Sequence, residues 1–180
     1  MRSVFGIGET ILDIIFKEGQ PYKAVPGGSV FNGLISLGRL QVPVTFISEL
    51  GKDQVGDLIL RFMEQNHIST RYIDRFPDGK SPISLAFLDA NRNANYSFYK
   101  DYPTERLDVP FPRIEADDIL IIGSYYALNP ALRPRMVEFL QYACERKAII
   151  YYDLNFRKAH AHEAIRLMPT VLENLEYADI

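Results

Sequence analysis

Residues 44–65 read VTFISELGKDQVGDLILRFMEQ, and this stretch alone indicates the fold class. Its first part, residues 44–48, is a short apolar run typical of a buried strand. Its second part, residues 54–65, has a stripe of apolar residues at helical spacing: Val55, Leu58, Ile59, Phe62 and Met63. Asp53 stands where such a helix would be capped. A buried strand followed directly by an amphipathic helix is typical of a layered α/β protein.

The same alternation of short apolar runs and helical patterns continues along the chain. Apolar runs at 4–7, 119–122 and 148–152 are predicted strands, and their separation by helices is typical of a parallel sheet. Helical spacing occurs at 29–40, behind Asn129-Pro130, and over 163–175. We therefore predict a mostly parallel sheet flanked by helices. The final residues, 177–180, have the pattern of a further strand's start.

A second group of strands differs in being joined by short polar turns. Residues 10–16 and 21–25 form one pair, and residues 83–88 and 96–100 form the other. Short polar connections of this kind are typical of antiparallel hairpins. We predict that these segments, within about 10–25 and 82–101, form a small antiparallel lid inserted in the α/β core.

The composition excludes several classes of protein. A formal charge of −3 with scattered Lys and Arg is not the basic surface of a nucleic-acid-binding protein. No apolar run approaches the roughly 18 residues of a membrane span, and the apolar start is too short for a signal peptide. Cys144 is the single cysteine, so no intrachain disulfide is expected, and we predict it as a small core residue. These features predict a cytoplasmic protein that binds neither nucleic acid nor membrane.

Polar residues that suit a sugar follow the predicted strands. These are Asp13 after the first strand, Gly27-Gly28 and Asn32 at a helix start, and Asn155 and Arg157 after the last strand. In open α/β sheets these positions converge at one edge, where ligands bind. A carboxylate accepts from hydroxyls, an amide both donates and accepts, and glycine lets a ligand approach the main chain. Arg157 adds a planar fork for phosphate or carboxylate.

Each of these residues also has an ordinary structural explanation. An aspartate after a strand is most often a cap or turn residue, and paired glycines before a helix often form only a tight turn. The segment from Asp153 to Arg157 would equally suit a cap with a surface ion pair. The predicted convergence favours binding, and we expect Asp13, the two glycines with Asn32, and Arg157 to gather around one monosaccharide-sized cavity.

These segments, in this order, resemble the ribokinase-type carbohydrate kinases of the PfkB family. The resemblance covers nearly the whole chain and rests on Gly8-Glu9 with Asp13, Pro26-Gly27-Gly28-Ser29 with Asn32, residues 51–56 (GKDQVG) and residues 153–157 (DLNFR). It implies a ribokinase-like fold of which residues 1–180 are a partial domain, with the C-terminal half missing. It further implies that Asp13, Gly27, Gly28, Asn32, Asn155 and Arg157 bind the sugar, and that Asp53 is structural.

Residues 96–100 (YSFYK) are similar to the lid strand of fructokinases and 2-keto-3-deoxygluconate kinases. Phe98 and Lys100 share a face of this strand, and the resemblance places both over the sugar. The family more often has arginine where Lys100 stands, and lysine would hold a sugar-acid carboxylate less well than a bidentate fork. Fructose is therefore the first choice, with 2-keto-3-deoxygluconate, ribose and a nucleoside behind it. The alternative for this strand is lid packing or a homodimer contact through the lid strands.

The resemblance also implies an enzyme that uses ATP and Mg²⁺ and transfers the γ-phosphate to a sugar hydroxyl. In the family a Gly-rich loop and a neighbouring aspartate base supply this chemistry. All eleven glycines here lie at or before Gly123. No catalytic base is therefore predicted within this chain, Arg157 is expected to stabilise charge in addition to binding the sugar, and the chain alone is expected to be inactive.

Three alternatives compete with this hypothesis. Gly6 and Gly8 suggest a dinucleotide enzyme, but Ile11 stands where that fingerprint has glycine, and a β-like run follows. The second alternative, with which the sequence is also consistent, is a non-catalytic sugar-binding or regulatory module. His160 and His162 are two apart on a predicted helix and do not face one another, so no metal site is predicted.

Overall fold

The computed structural model describes residues 2–89, 93–156 and 158–180, without the side chains of 158–160. Short 3-10 segments span Tyr125–Leu128, Pro130–Leu132 and Lys158–Glu163. The strands and helices of the described residues are β1 (Val4–Ile7), β2 (Ile11–Lys17), β3 (Gln20–Gly27), α1 (Ser29–Arg39), β4 (Val44–Gly51), α2 (Gln54–Gln65), β5 (Ile68–Phe76), β6 (Lys80–Leu88), β7 (Ala94–Asp101), β8 (Ile119–Gly123), α3 (Arg133–Glu145), β9 (Ile149–Asp153) and α4 (Ala164–Tyr177).

A five-stranded parallel sheet forms the core, in the order β5-β4-β1-β8-β9. Its two faces are covered by separate hydrophobic clusters. Phe5 and Ile7 of β1 belong to the cluster that includes α3, whereas Val4 belongs to the cluster that includes α1 and α2. The predicted layered α/β architecture is confirmed, and the carboxyl ends of β1, β8 and β9 lie side by side.

The lid is a four-stranded sheet in the order β3-β2-β6-β7. Both predicted hairpins are antiparallel, but β2 and β6 pair in parallel, so the lid is mixed rather than purely antiparallel. The register places Asp13 opposite Ser84, and Ser84 opposite Phe98. Since residues directly opposite one another share a face, these three side chains lie on the same side of the lid.

Strand β5 is absent from the sequence-based prediction. Its sequence, ISTRYIDRF, mixes apolar and charged residues without a clean period of two. Burial explains the pattern, because Ile68, Ile73 and Phe76 are buried while the residues between them are exposed or partly buried. A register shift in the pairing with β4 disrupts the alternation on which such predictions depend.

The carboxy-terminal elements confirm one expectation and correct another. Asn129 accepts a hydrogen bond from the Ala131 N–H at 3.0 Å, as expected of a cap, although a 3-10 turn precedes α3. The prediction that Cys144 is a core residue is wrong, because its side chain is exposed. Helix α3 instead buries Met136, Phe139, Leu140 and Ala143.

The last residues, predicted as the start of a further strand, hydrogen-bond to the open edge of β9 but are not a strand of the five-stranded sheet. The Ile180 N–H donates to Ile150 O at 3.2 Å, and the Tyr152 N–H donates to Ile180 O at 2.9 Å. These two bonds form a parallel bridge on the open edge of β9. Over the described ranges, no helix has both the length and the apolar character needed to cross a bilayer.

Candidate functional site

Asp13 is a partly buried carboxylate in the middle of the lid sheet. The Ser84 hydroxyl donates to its Oδ1 at 2.5 Å. Burial raises the pKa of Asp13 above the ordinary carboxyl value, and the Ser84 hydrogen bond offsets part of this rise. A Cβ on Gly27 would lie 2.7 Å from Oδ2, so glycine leaves the space that the carboxylate occupies. Carboxylate oxygens have about four acceptor positions, so Asp13 retains capacity for ligand hydroxyls.

Gly28 connects the lid to the first helix of the core. It is the N-cap of α1 and has a φ of 143°, a conformation open essentially only to glycine. A Cβ at this position would lie 2.3 Å from Glu9 O. Asn32 follows one turn later, is exposed, and donates its backbone N–H to Gly28 O at 3.0 Å. Residues four apart lie on one helix face, so Asn32 and Gly28 are neighbours.

The segment after β9 contacts the start of α1 through side chains. We call the described residues Glu9, Asp13, Gly27, Gly28, Ser29, Asp153 and Asn155, together with Lys100, the rim. Asn155 Nδ2 donates to Ser29 Oγ at 2.8 Å, and Ser29 Oγ donates to Asp153 Oδ2 at 3.4 Å. The Asn155 N–H also donates to Asp153 Oδ1 at 3.1 Å. Arg157 lies outside the described residues, so its expected role stays a prediction.

The predicted face of β7 is present in the structure. Phe98 stacks on Tyr96 with ring centroids 5.8 Å apart, and Lys100 Nζ lies 5.5 Å from the Phe98 ring centroid. Lys100 Nζ also contacts both carboxylate oxygens of Glu9, at 2.6 and 2.8 Å. This ion pair joins the lid strand to the loop that follows β1.

A cavity of about 780 Å³ lies between the lid and the first turn of α2. Phe98 and Lys100 line it, but Asp13, Asn32 and the two glycines do not. Asp13 lies close to Gly27, and Gly28 lies close to the backbone of Glu9. The expected gathering of Asp13, the two glycines with Asn32, and Arg157 around one cavity stays a prediction.

Asp53 has the structural role that its position predicts. Its side chain accepts from the Gly56 N–H at 2.8 Å, which caps α2, and from the Ser81 N–H at 2.7 Å. Burial alone would raise the pKa of Asp53, but these backbone hydrogen bonds, with Lys80 nearby, hold the pKa below its ordinary value. Asp53 therefore fixes the start of β6 relative to the core.

A buried polar network connects Glu9 to the core, and no sequence motif predicts it. Glu49 accepts hydrogen bonds from Arg106, from the Leu107 N–H at 3.2 Å and from the Tyr126 hydroxyl at 3.2 Å. Arg106 lies 3.7 Å from the ring centroid of Tyr102. The Tyr102 hydroxyl in turn donates to Glu9 at 2.7 Å. Glu9 is thus connected to the core as well as to the lid.

ATP and Mg²⁺ are the cofactors that the resemblance implies. Over the part of the chain that the structure describes, no three His, Cys, Asp or Glu side chains lie together as a metal ion would need. The side chain of His160 lies outside the described residues. The sequence has no glycine after Gly123 and hence no later Gly-rich loop for phosphate. The described residues therefore supply neither a cluster of metal ligands nor a Gly-rich loop after Gly123 for these cofactors.

We expect Asp13→Asn to stabilise the fold at pH 7. A raised pKa in the folded protein means that burial disfavours the charged carboxylate, so wild-type stability falls as pH rises through the titration of Asp13. Asparagine removes this penalty and can still accept from Ser84. The unfolding midpoint of the variant should exceed that of wild type at pH 7, and the difference should shrink towards the ordinary carboxyl pKa of 3.8. A pH-independent difference in thermal melts would contradict this account.

Comparisons with known proteins agree with the fold. The family model for pfkB family carbohydrate kinases matches residues 1–180. A fructokinase of Solanum tuberosum is 22% identical over 98% of this chain and 60% of its own length. The structure of an uncharacterised sugar kinase from Pyrococcus horikoshii has a TM-score of 0.82 at 21% identity, covering 98% of this chain and 61% of that one.

A fructokinase double mutant from Vibrio cholerae O395, solved with fructose, ADP and potassium ion, has a TM-score of 0.80 at 20% identity. The alignment covers 99% of this chain and 58% of that chain. At these identities the structural likeness shows the fold. The chain spans about three fifths of the length of these relatives. Because the family model matches its whole length, this chain belongs to the pfkB family of carbohydrate kinases.

Proposed function

We propose that this chain is the sugar-binding part of an ATP-dependent kinase that phosphorylates a hydroxyl of a monosaccharide, with fructose as the first candidate. The observation that carries the proposal is the position of Asp13. It is a partly buried carboxylate with one hydroxyl partner, beside Gly27 and on the same lid face as Phe98. Such a carboxylate can accept from adjacent sugar hydroxyls while the aromatic ring covers the apolar face of the sugar.

The choice of fructose is supported by the relatives. Several matched proteins are named fructokinases, and one matched structure contains fructose. The remaining binding roles that we assign are hydrogen bonding of hydroxyls by Asn32 and Asn155, close backbone approach at Gly28, and charge stabilisation by Arg157. Ribose, a nucleoside or 2-keto-3-deoxygluconate are the other candidates within the same family.

The nucleotide and the catalytic base are proposed to come from sequence outside these 180 residues. ATP with Mg²⁺ supplies the transferable phosphoryl group, and its binding needs positioned backbone N–H groups and cations. The described residues contain no such arrangement, so this chain alone should bind sugar without turning over ATP. A sugar-binding module without catalysis remains the alternative, and a kinase assay on the longer protein would separate the two.

The proposal is tested by titrating the purified chain with D-fructose and the other candidate sugars in a calorimeter. Asp13→Asn should weaken fructose binding by about tenfold to a hundredfold, because each lost hydrogen bond to a charged group is worth about 1.5–3 kcal/mol. Asp78→Asn, at an exposed turn between β5 and β6, is the matched control and should leave the affinity unchanged. If the wild-type chain binds none of the sugars, the proposed function is wrong.

A homodimer through the lid strands is proposed as the assembly. Strand β7 is one of the two edge strands of the lid sheet, and every described side chain along it is exposed. Unpaired strand edges with exposed aromatic residues favour pairing with a second copy.

A further inference from the structure

The charge of Lys100 is already engaged within the chain. Its Nζ contacts both carboxylate oxygens of Glu9, at 2.6 and 2.8 Å. The Lys100 and Glu9 side chains are 36% and 26% exposed, so the pair lies at the rim where a ligand can approach. An ammonium bound to both oxygens of one carboxylate forms a pair with no net charge.

Glu9 is held in this position from the core side as well. The Tyr102 hydroxyl donates to Glu9 Oε1 at 2.7 Å. Burial and the neighbouring Glu9 carboxylate raise the pKa of Tyr102, so the hydroxyl stays protonated and keeps donating. The Tyr102 ring rests on Arg106, which is paired with the buried Glu49. Because its partners come from two sides, the Glu9 carboxylate is positioned before any ligand arrives.

The described charges near Lys100 disfavour an anion. Among the described residues that form these contacts, three are carboxylates, Glu9, Asp13 and Asp153, against the ammonium of Lys100. A sugar acid would bring a further carboxylate beside the Glu9–Lys100 pair and would meet repulsion from Asp13. An uncharged sugar needs only acceptors and donors of hydrogen bonds, which these residues supply.

We propose that Glu9 is a specificity-determining residue that neutralises Lys100 and so restricts the site to uncharged sugars over sugar acids. The proposal rests on the sugar-binding function proposed above. Glu9 acts through Lys100 and is a positioning residue rather than a group that itself contacts the sugar.

The test removes each of the two charges singly and then both together. The measured quantity is the dissociation constant for 2-keto-3-deoxygluconate divided by the dissociation constant for D-fructose. Wild type should favour fructose. Glu9→Gln frees the ammonium and should lower the ratio about tenfold, as expected for one charge acting on another near a protein surface. Lys100→Gln leaves Glu9 unpaired and should raise the ratio. The double variant removes both charges and should return it close to wild type.

Glu115→Gln, at the exposed ion pair with Arg113, is the control and should leave the ratio unchanged. Circular dichroism checks that each variant folds, and the two single variants allow a decision if one of them does not. The proposal is overturned if the available single variants leave the ratio unchanged, if both shift it in the same direction, or if wild type prefers the acid. Failure of wild type to bind either compound overturns this proposal, whereas failure to bind any of the candidate sugars overturns the proposed function as well.

Discussion

Glu49→Leu is expected to lower the free energy of unfolding by about 3–5 kcal/mol, the range for removing one partner of a buried ion pair. Glu49 is 1% exposed, and the side chain of its partner Arg106 is 8% exposed. Without the carboxylate, the guanidinium is left uncompensated in the interior, and the Leu107 N–H and Tyr126 hydroxyl lose their acceptor. Urea unfolding followed by circular dichroism measures the loss.

Two variants control this experiment. Glu115→Leu removes a carboxylate from an ion pair whose side chains are 63% and 88% exposed, and should cost at most about 1 kcal/mol. The double variant Glu49→Leu with Arg106→Met removes both buried charges and should be more stable than Glu49→Leu alone. If the free energies of unfolding of Glu49→Leu and Glu115→Leu agree within experimental error, the buried network does not stabilise the fold.

Gly28→Ala is expected to be the second most damaging change, for two independent reasons. The φ of 143° is a conformation that an L side chain rarely adopts, at a cost of about 1–3 kcal/mol. The new Cβ would also lie 2.3 Å from Glu9 O, so the backbone of one segment must move. Because Gly28 adjoins both Glu9 and Ser29, we expect lower stability together with loss of fructose binding in the same calorimetric titration.

The same substitution five residues later provides the matched control. Gly33 lies inside α1, and a Cβ there would meet nothing within 4 Å. Gly33→Ala should therefore stabilise the protein by about 0.5–1 kcal/mol, since glycine is unfavourable within a helix. If Gly28→Ala lowers the stability and Gly33→Ala raises it, the loss at position 28 comes from the backbone conformation and the steric contact there. Equal effects would refute the argument from backbone strain and steric contact.

Most of the fold follows from hydrophobic periodicity in the sequence. Helix α2 begins and ends at the predicted residues, and its predicted cap, Asp53, accepts the Gly56 N–H. The parallel sheet is predictable because its strands are short, apolar and separated by helices. Strand β5 is not predictable in this way, because it is stabilised by pairing with β4 and has no clear local pattern of its own.

The site is predictable only where its residues stand in motifs. Asp13, the two glycines and Asn155 are visible in the sequence because they follow predicted strands or open a helix. Ser84 is not visible in the sequence, because its contact with Asp13 depends on the parallel register between β2 and β6, which no local pattern encodes. Glu9 lies within a recognised motif, but its partner Lys100 is 91 positions away, and only the fold shows that the two meet.

The parallel pairing of β2 with β6 also determines when the site can form during folding. Asp13 and Ser84 are 71 positions apart, and α1, β4, α2 and β5 all lie between them. Contacts between such distant segments carry a large loop-closure entropy, which is offset only after the intervening segments have become compact. We therefore expect the carboxylate to meet its serine late on the folding pathway, after the helices have formed.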